Sequence, residues 1–398
     1  MRILYHHRTA SRDGQAVHIE EMVQALRDLG HEVLVVAPRA ASDAGMGGEV
    51  GWVRKLRDAL PKAIYELLEL GYSLVAYRRL ARAAREFKPD VVYERYNLFL
   101  LAGALLRRRT GIPLLLEVNA PLVDERQRFG GLGLLWLAHW AETRAWRTAD
   151  VVFPVTAVLA ERVRSRGVPH ARMEVIHNAI NVAHFDSAPA PADAKRLLGW
   201  HDELVLGFTG FVRDWHGVDR VIRWLASARA PAGARLLMVG DGPARADLEA
   251  LAEQLQVRHR VKFTGVVDRH EVPAMVAAFD IALQPAVVAY ASPLKLFEYL
   301  ALGKAIVAPR QPNLLEILTD GENALMFDAD QPDALEHALD RLCHDPALRQ
   351  HIAAGARATI ARKRLTWQSN AHRVVVRAGQ LSAANTATAA VSSTRGAP

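Results

Sequence analysis

The sequence predicts an α/β protein made of two doubly wound domains. In its first half, short apolar runs such as RILYHH, HEVLVVAP, DVVYERY and PLLLEVN alternate with helical stretches such as HIEEMVQALRDLG. The second half repeats this alternation with ELVLGFTG, ARLLMVGDG, RVKFTG, DIALQP and KAIVAP. Strands that alternate with helices in this way form parallel sheets with helices on both faces. A chain of 398 residues is also too long for one ordinary hydrophobic core.

Composition places the boundaries between the predicted domains. The segment VIHNAINVAHFDSAPAPADA has the Asn-rich end and the Pro/Ala run of a linker, so we divide the chain into domains 1–183 and 184–364. Residues 365–381 are predicted to form a final helix. Residues 382–398 are small and polar with little apolar surface to bury, and we expect a disordered tail there.

Cysteine content and apolar patterning exclude several protein classes. The single cysteine, Cys343, rules out a disulfide framework and any Cys-based zinc cluster, and it suits a reducing compartment. The N-terminal MRILYHHRTA begins as a strand and lacks the features of a signal peptide. The longest apolar stretches, such as LGLLWLAHW, are shorter than the roughly 20 residues of a spanning helix. We therefore expect a cytoplasmic protein.

The net charge of +7 is concentrated in the first half, where residues 1–185 hold 26 Lys and Arg against 20 Asp and Glu. No zinc finger or RNP-like motif accompanies this charge, so a nucleic-acid partner is not expected. Two interpretations remain open. The basic surface meets anionic lipid at the inner face of the plasma membrane or a phosphate-bearing substrate, or it is an ordinary solvated surface.

Two segments carry the ingredients of interfacial membrane binding. Residues 52–88 and the stretch FGGLGLLWLAHWAETRAWR combine basic side chains with Leu, Trp and Tyr. The alternative is that both form amphipathic helices packed on the first sheet, with Trp136, Trp140 and Trp146 in the core. The sequence leaves both interpretations open.

The stretch SPLKLFE contains an unusual helix start. If Ser292 is the N-cap and Pro293 the first helical residue, Lys295 lies in the first turn, where a positive charge opposes the helix dipole. A diphosphate at this helix start would remove the conflict. The amides of Leu294 and Lys295 and the Ser292 hydroxyl could donate to it, and Lys295 would supply the countercharge.

Glu298 follows Lys295 by three residues, so both side chains project from about the same helix face. A carboxylate beside a diphosphate suits a ribose diol, which offers two hydroxyl donors. The alternative is a surface Lys–Glu pair worth a few tenths of a kcal/mol. The glycines of MVGDGP and of RTASRDGQAVHIEE indicate either close approach of a ligand or a tight turn before a helix. His18 lies in the second of these segments, and a lone histidine there is more often a structural side chain than a catalyst.

The chain resembles the retaining glycosyltransferases of family four, also called group one, which have the GT-B fold. The resemblance rests on ordered motifs: GFVRDWHGVDRVI, LLMVGDGPARADLE, VKFTGVV, EVPAMVAAFDIALQP, SPLKLFEYLALGKAIVAP and DGENALMF. It extends over nearly all of residues 1–380. It implies an acceptor-binding and a nucleotide-sugar-binding Rossmann-like domain whose parallel sheets face a central cleft. It further implies that the final helix packs back on the N-terminal domain.

The resemblance assigns roles by position. Glu298 matches the second Glu of the family's Glu-x7-Glu motif, which binds the donor ribose. The segment from Ser292 to Lys295 matches the one whose amides hold the distal phosphate. Gly240 lies in the glycine loop near the nucleoside, and Val266 follows the strand whose backbone meets the base. Gly14 belongs to the corresponding loop of the first domain, and Asn178 to the hinge.

Four positions depart from the family pattern. The first Glu of Glu-x7-Glu is Tyr290 here, which leaves the donor-sugar contact to its hydroxyl or to another group. The Arg-x4-Lys pair that clamps the diphosphate falls on Phe211 and His216. Arg213 and Lys295 are the candidates to supply the lost charge. His216 is a further candidate catalytic residue. The histidine that often follows the fourth strand is replaced by Asn119, which cannot take a proton but can hold a sugar hydroxyl.

The function implied by this resemblance is transfer of a sugar, with retention, from a nucleotide sugar to a hydroxyl of a glycan or lipid-linked acceptor. The departing diphosphate accepts the proton of that hydroxyl, so neither a separate base nor a metal or other cofactor is expected. By analogy, the expected setting is bacterial polysaccharide or glycoconjugate biosynthesis. Two alternatives stay open: a non-catalytic nucleotide-sugar-binding partner subunit, and a sugar-nucleotide epimerase on the same fold.

Overall fold

A computed structural model describes residues 1–9, 14–38 and 59–394, with side chains as far as residue 381. The chain divides into two compact units, Met1–His177 with Trp367–Pro398, and Asn178–Thr366. The second unit thus begins six residues earlier than the predicted boundary at residue 184. The cause lies in the linker, because the Ile180 amide donates to the Leu365 carbonyl at 3.1 Å and ties this segment to the second unit.

The first unit contains a five-stranded parallel sheet in the order β2-β1-β3-β4-β5. Its strands are β1 (Arg2–His6), β2 (Glu32–Val36), β3 (Val91–Arg95), β4 (Leu114–Val118) and β5 (Val151–Pro154). The helices that precede the linker are α1 (Gly14–Asp28), α2 (Lys62–Phe87), α3 (Ala102–Thr110), α4 (Leu122–Phe129), α5 (Leu135–Thr148) and α6 (Ala157–Ser165). Strands β3 to β5 are buried along their whole length, as expected for a parallel sheet covered on both faces.

The second unit contains a six-stranded parallel sheet in the order β11-β10-β9-β6-β7-β8. Its strands are β6 (Leu204–Thr209), β7 (Ala234–Val239), β8 (Val261–Phe263), β9 (Ile281–Leu283), β10 (Ala305–Pro309) and β11 (Leu325–Phe327). Its helices are α7 (Val182–Asp186), α8 (Pro191–Leu197), α9 (Val218–Leu225), α10 (Arg245–Gln254), α11 (Val272–Ala277), α12 (Leu294–Ala301), α13 (Pro312–Leu315), α14 (Ala334–His344) and α15 (Pro346–Lys363).

Strand β6 is the point at which the order of the second sheet reverses. The chain continues from β6 to β7 and β8 on one side and then to β9, β10 and β11 on the other. Open α/β sheets bind ligands beyond the carboxyl ends of their strands at such a point. Separate hydrophobic clusters, one around Trp224 and one around Phe279 and Phe297, fill the space under the helices. The fold class predicted from the alternation of strands and helices is confirmed.

The final helix, α16 (Trp367–Thr394), belongs to the first unit. The Trp367 ring meets the His18 ring edge-on at 4.7 Å, and Arg373 pairs with Glu174 at 2.9 Å. The helix extends as far as Thr394, into the segment for which a disordered tail is predicted, and that disorder stays a prediction. This segment is rich in alanine, which has the highest intrinsic helix propensity.

Two glycines after β7 allow two loops of the second unit to touch. Gly240 has φ +119°, and a Cβ atom there would lie 2.3 Å from the Gly210 carbonyl oxygen. A Cβ atom at Gly242 would lie 2.1 Å from the Val212 carbonyl oxygen. The Val212 amide donates to the Asp241 carbonyl at 2.9 Å. The tight-turn interpretation of MVGDGP is thereby supported, since only glycine permits this contact.

We predict that Gly240→Ala destabilises the protein by about 3 kcal/mol or more, because strained backbone and a clash with a main-chain oxygen coincide. Gly71→Ala, at a helical position with no neighbour within 4 Å of the added Cβ, is the matched control. It should be neutral or slightly stabilising. Denaturant unfolding of both variants measures the difference. Equal stability of the two would contradict the close approach of the loops.

Candidate active site

The candidate site of the second unit is built where β6 ends against the start of α12. Thr209, the last residue of β6, donates its amide to the Tyr299 hydroxyl at 3.0 Å. The Thr209 hydroxyl donates to Glu298 Oε2 at 3.2 Å. These bonds hold the first turns of α12 beside the carboxyl end of the central strand. Glu298 and Lys295 are therefore brought together, as their spacing predicts.

The predicted cap of α12 is wrong. The helix begins at Leu294, its N-cap is Pro293, and no side chain caps it. Ser292 is used otherwise, because its Oγ accepts the Asn178 amide at 3.1 Å and its carbonyl accepts Asn178 Nδ2 at 2.6 Å. Ser292 thus fixes the linker to the second unit. The amides of Leu294 and Lys295 lie in the first turn, where an intrahelical acceptor is lacking.

Lys295 lies over an aromatic ring, and its amine is not exposed. Its Nζ atom is 3.5 Å from the centroid of the Phe208 ring. This atom is buried and has no hydrogen-bond partner within the part of the chain that the structure describes. The face of the Phe208 ring attracts the ammonium group and holds it out of water. Burial lowers the pKa of Lys295 to about 7, although Glu298 acts in the opposite direction.

Glu298 is a partly buried acceptor close to this amine. Burial raises the pKa of its carboxyl group, while the Thr209 hydrogen bond and the charge of Lys295 act to lower it. The Tyr299 hydroxyl on the next residue is fully buried and is engaged with Thr209. Among the residues that the structure describes, Thr209 is the direct hydrogen-bond partner of Glu298, which stands where a ligand with hydroxyl donors could reach it.

His216 cannot replace a lysine of the diphosphate clamp. Its ring is buried, packs against the rings of Phe208 and Trp215, and accepts the Arg213 amide on Nδ1 at 2.9 Å. Burial and the nearby charge of Lys295 lower the pKa of His216 to about 3. His216 is therefore neutral at physiological pH and does not restore the charge of the clamp lysine, while its role as a catalytic residue stays a prediction. It positions the loop that carries Arg213.

Arg213 is exposed to solvent. Its guanidinium lies 5.2 Å from the centroid of the Phe211 ring. Arg213, which is exposed, and Lys295, whose amine is buried, are thus two cationic candidates to meet an anion in this unit.

The remaining candidates of the second unit lie on neighbouring loops. The Gly240 amide donates to the Gly265 carbonyl at 3.1 Å, which joins the loops after β7 and β8. Val266, on the second of these loops, is 56% exposed. Tyr290 is partly buried and precedes α12 by a few residues. The contacts predicted for these residues with base, nucleoside and sugar stay predictions.

In the first unit, Glu117 forms a centre that the sequence interpretation missed. It lies in β4 and is buried, and its carboxylate accepts hydrogen bonds from four side chains: His18, Tyr93, Arg95 and Asn119. Burial alone would raise the pKa of Glu117. The charges of His18 and Arg95, with the hydrogen bonds from His18 and Tyr93, lower it well below its usual range.

The sequence does hold a signal for this centre. A glutamate in the otherwise apolar strand LLLEV must find partners, because a buried charge without them is costly. His18 is one of these partners, which supports its interpretation as a structural side chain. Gly14 begins α1, the helix that carries His18, and it is exposed. Contact of Gly14 with a ligand stays a prediction.

The described residues contain neither a metal-binding cluster nor a membrane-spanning helix. Residues 1–9, 14–38 and 59–394 contain no group of three or more His, Cys, Asp or Glu placed to hold a metal ion. Across the same ranges, every helix is too short or too polar to cross a membrane. Metal independence stays a prediction.

Two family models cover most of the chain. Residues 13–179 match the model described as "Glycosyl transferase 4-like domain", and residues 192–359 match "Glycosyl transferases group 1". The chain belongs to the group 1 glycosyltransferases. The family predicted from the motifs is confirmed, and with it the GT-B fold.

Several named glycosyltransferases are similar to this chain. The lipopolysaccharide core biosynthesis glycosyltransferase LpsD of Rhizobium meliloti is 28% identical over 75% of this chain and 78% of its own length. The GDP-mannose-dependent alpha-(1-6)-phosphatidylinositol dimannoside mannosyltransferase of Mycobacterium tuberculosis is 26% identical over 88% of both chains. The crystal structure of Anabaena Alr3699/HepE with UDP and glucose superposes with TM-score 0.75 and 19% identity, covering 96% of this chain and 100% of that one.

We predict that Lys295→Met stabilises the protein without ligand at pH 7. The folded-state pKa of about 7 lies below the usual 10.5, so the unfolded chain binds the proton more tightly. The destabilisation from Lys295 is therefore full below pH 7 and is lost as pH rises towards 10.5. Thermal unfolding at pH 7 and pH 10 should show the variant more stable at pH 7, with a gap that narrows at pH 10. If the wild-type protein were more stable than the variant at pH 7, this result would contradict an unpaired ammonium group at Lys295.

Proposed function

We propose that this glycosyltransferase transfers a sugar, with retention, from a nucleotide-sugar donor to a hydroxyl of a glycan or lipid-linked acceptor. The observation that carries the proposal is the unpaired Lys295 amine beside the Glu298 carboxylate at the start of α12. A diphosphate would supply the anion that this amine lacks, and a ribose diol would satisfy the carboxylate. Support comes from the names of two similar proteins, one GDP-mannose-dependent and one bound to UDP and glucose.

In the proposed mechanism, the side chains orient the substrates and stabilise the charge that develops on the leaving phosphate. As the bond to the leaving diphosphate breaks, negative charge grows on the distal phosphate. Lys295, the first-turn amides of α12 and Arg213 are the groups that would oppose it. The leaving phosphate takes the proton of the incoming hydroxyl on the same face of the sugar. No side chain need act as a base. Glu298 holds the ribose in the ground and transition states alike.

A bacterial polysaccharide or glycoconjugate pathway fits the relatives that bear such names. Two other functions remain as candidates: a partner subunit that binds nucleotide sugar without catalysis, and a sugar-nucleotide epimerase. A thermal-shift screen of UDP, GDP, ADP and their sugars identifies the donor, because a ligand at a hundred times its Kd adds about 2.7 kcal/mol. Nucleotide release with and without acceptor then separates transfer from binding alone. Conversion to the epimeric donor sugar would indicate the third function.

We predict opposite kinetic signatures for two neighbouring residues. Lys295→Met should lower kcat by about 100-fold or more with a smaller change in KM, because the phosphate charge grows in the transition state. Glu298→Gln should raise the donor KM by about 10-fold with little change in kcat, because the ribose contact is the same in both states. His216→Ala is the control, because it disturbs the position of the loop that carries Arg213 without removing a charge. Unchanged nucleotide affinity in Glu298→Gln would refute the ribose assignment.

The proposed partner of the first unit is an anionic membrane. Helix α2 reverses the usual pattern of burial. Glu66 and Glu69 are buried, whereas five apolar side chains are exposed by 42 to 57%. These exposed residues are Ile64, Leu67, Leu68, Leu74 and Val75. A soluble helix normally buries such residues, so a helix that exposes them has an unused apolar face.

The buried glutamates explain how α2 holds this orientation. Glu66 accepts the amides of Gly133 and Leu134, both at 2.7 Å, directly before α5. Trp136 and Trp140 on α5 are 70% and 50% exposed. The exposed apolar residues of α2, together with these two tryptophans, are called the α2–α5 surface. Trp146 is buried, so the alternative that placed all three tryptophans in the core is correct only for that residue.

Charge complementarity favours lipid as the partner of the α2–α5 surface. The second half of α2 exposes Arg78, Arg79 and Arg82 to solvent, beyond the apolar residues of the same helix. Each basic residue close to an anionic bilayer adds about 1 kcal/mol, and salt screens this attraction. Apolar and aromatic side chains beside such a cluster are typical of interfacial helices. Residues 52–58 of the predicted membrane segment lie outside the described residues.

We predict that the protein sediments with phosphatidylglycerol vesicles and not with phosphatidylcholine vesicles, and that rising salt weakens the binding. Replacing Trp136 and Trp140 by serine should abolish sedimentation, because both side chains belong to the proposed contact. Leu197→Ser, at an equally exposed leucine of the second unit, is the matched control and should leave binding unchanged. Equal recovery of wild-type protein in the supernatant with both lipids would rule out the membrane contact and favour a soluble acceptor.

A further inference from the structure

The hydrogen bonds of Glu117 leave neither of its oxygens free. Oε2 is 2.8 Å from His18 Nε2 and accepts the Tyr93 hydroxyl at 2.7 Å. Oε1 accepts the Arg95 guanidinium and, at 2.5 Å, Asn119 Nδ2. The carboxylate is 2% exposed and sits between β3, α1 and the residue that follows β4. Each of its four partners is thereby held in one orientation.

This arrangement determines which end of the Asn119 carboxamide is available. An ionised carboxylate only accepts hydrogen bonds, so it must face the NH2 end of the amide. Asn119 Oδ1 is left, and it has no hydrogen-bond partner within residues 1–9, 14–38 and 59–381, whose side chains are described. The side chain is partly exposed at the carboxyl end of β4. Asn119 therefore presents an acceptor and withholds its donor.

We propose that Glu117 is a positioning residue that makes Asn119 a fixed acceptor for a sugar hydroxyl. An asparagine without such a partner could turn its amide to suit either a donor or an acceptor. With Glu117 in place, this position takes a group that donates, such as a hydroxyl, and disfavours phosphate or carboxylate oxygens. The inference rests on the proposed function for the identity of the ligand. The contact between Glu117 and Asn119 does not.

Asn119→Asp tests the contact because it keeps the shape and removes the donor. Two ionised carboxylates cannot share this contact, and His18, Tyr93 and Arg95 keep Glu117 ionised. The introduced carboxyl must therefore hold a proton in the folded state, which raises its pKa above the usual value of about 4. Its protonated form would donate to Glu117 and present its carbonyl oxygen, as the amide does.

The first readout is stability, which needs no substrate. A carboxyl whose pKa is raised on folding destabilises the fold increasingly as pH rises above about 4. The Tm of Asn119→Asp should therefore lie close to that of the wild type at pH 5 and about 5 °C or more below it at pH 8. Asn119→Ala should differ from the wild type by the same amount at both pH values. A constant difference for Asn119→Asp would overturn the inference.

The second readout is turnover, with nucleotide release from UDP-glucose and GDP-mannose as the probes. The ratio of the Asn119→Asp rate to the wild-type rate should fall by about 10-fold between pH 5.5 and pH 8, as the introduced carboxyl loses its proton. Asn119→Ala should show a low ratio that does not depend on pH. Tyr93→Phe removes another donor from the same carboxylate, so it should lower Tm without making the rate ratio depend on pH.

The two readouts separate the possible failures. A pH-dependent Tm with a pH-independent rate ratio would show that Glu117 only supports the fold, and would overturn the positioning role. If the wild type binds no nucleotide and releases none from either sugar, the proposed function fails. The Tm difference then decides the Glu117–Asn119 contact without reference to activity.

Discussion

The site of the second unit depends on one amine that is held out of water without a hydrogen-bond partner. Transfer of an ammonium group into the protein interior is costly unless it is paired, and the cost appears as a lowered pKa. The Phe208 ring and the nearby Glu298 recover part of that cost. Because the rest of that cost is not recovered, the position of Lys295 favours a bound anion. A bound diphosphate would complete the interactions of Lys295, so affinity for the ligand and instability of the unligated fold have the same origin.

The first unit resolves the same problem in the opposite way. Glu117 is as deeply buried as Lys295 Nζ, yet four donors keep its charge. Glu66 and Glu69 likewise turn inward and find partners: Glu66 the amides before α5, Glu69 the guanidinium of Arg126. Buried carboxylates with complete partners fix geometry. In this unit they orient Asn119 and hold the apolar side of α2 towards solvent, so the exposed features of the unit follow from charges that lie inside it.

The sequence was sufficient for the fold and for part of the site. Alternating apolar runs and helical periods predict both sheets, and ordered motifs predict the family, because these signals depend on local patterns. The cap of α12 was misjudged because Ser292 bonds Asn178, which is 114 residues away in sequence. The charge of His216 was misjudged because its pKa depends on burial and on Lys295. Glu117 was missed because its partners come from three separate segments. No local pattern contains such contacts.

The neutral ring of His216 and the amine of Lys295 occupy neighbouring places in the site. The position expected to carry the lysine of the clamp is His216, and its neutral ring packs on the same Phe208 that carries Lys295 Nζ. The charge of Lys295 lowers the pKa of His216, so the two groups are close enough to repel if both were cationic. A lysine at position 216 would therefore compete with Lys295 for one small space. Gly210 keeps that space open, since a Cβ atom there would lie 3.5 Å from Lys295 Cε. The cation of this pair therefore lies in the first turn of α12, and the loop after β6 is neutral at His216, where it approaches that cation.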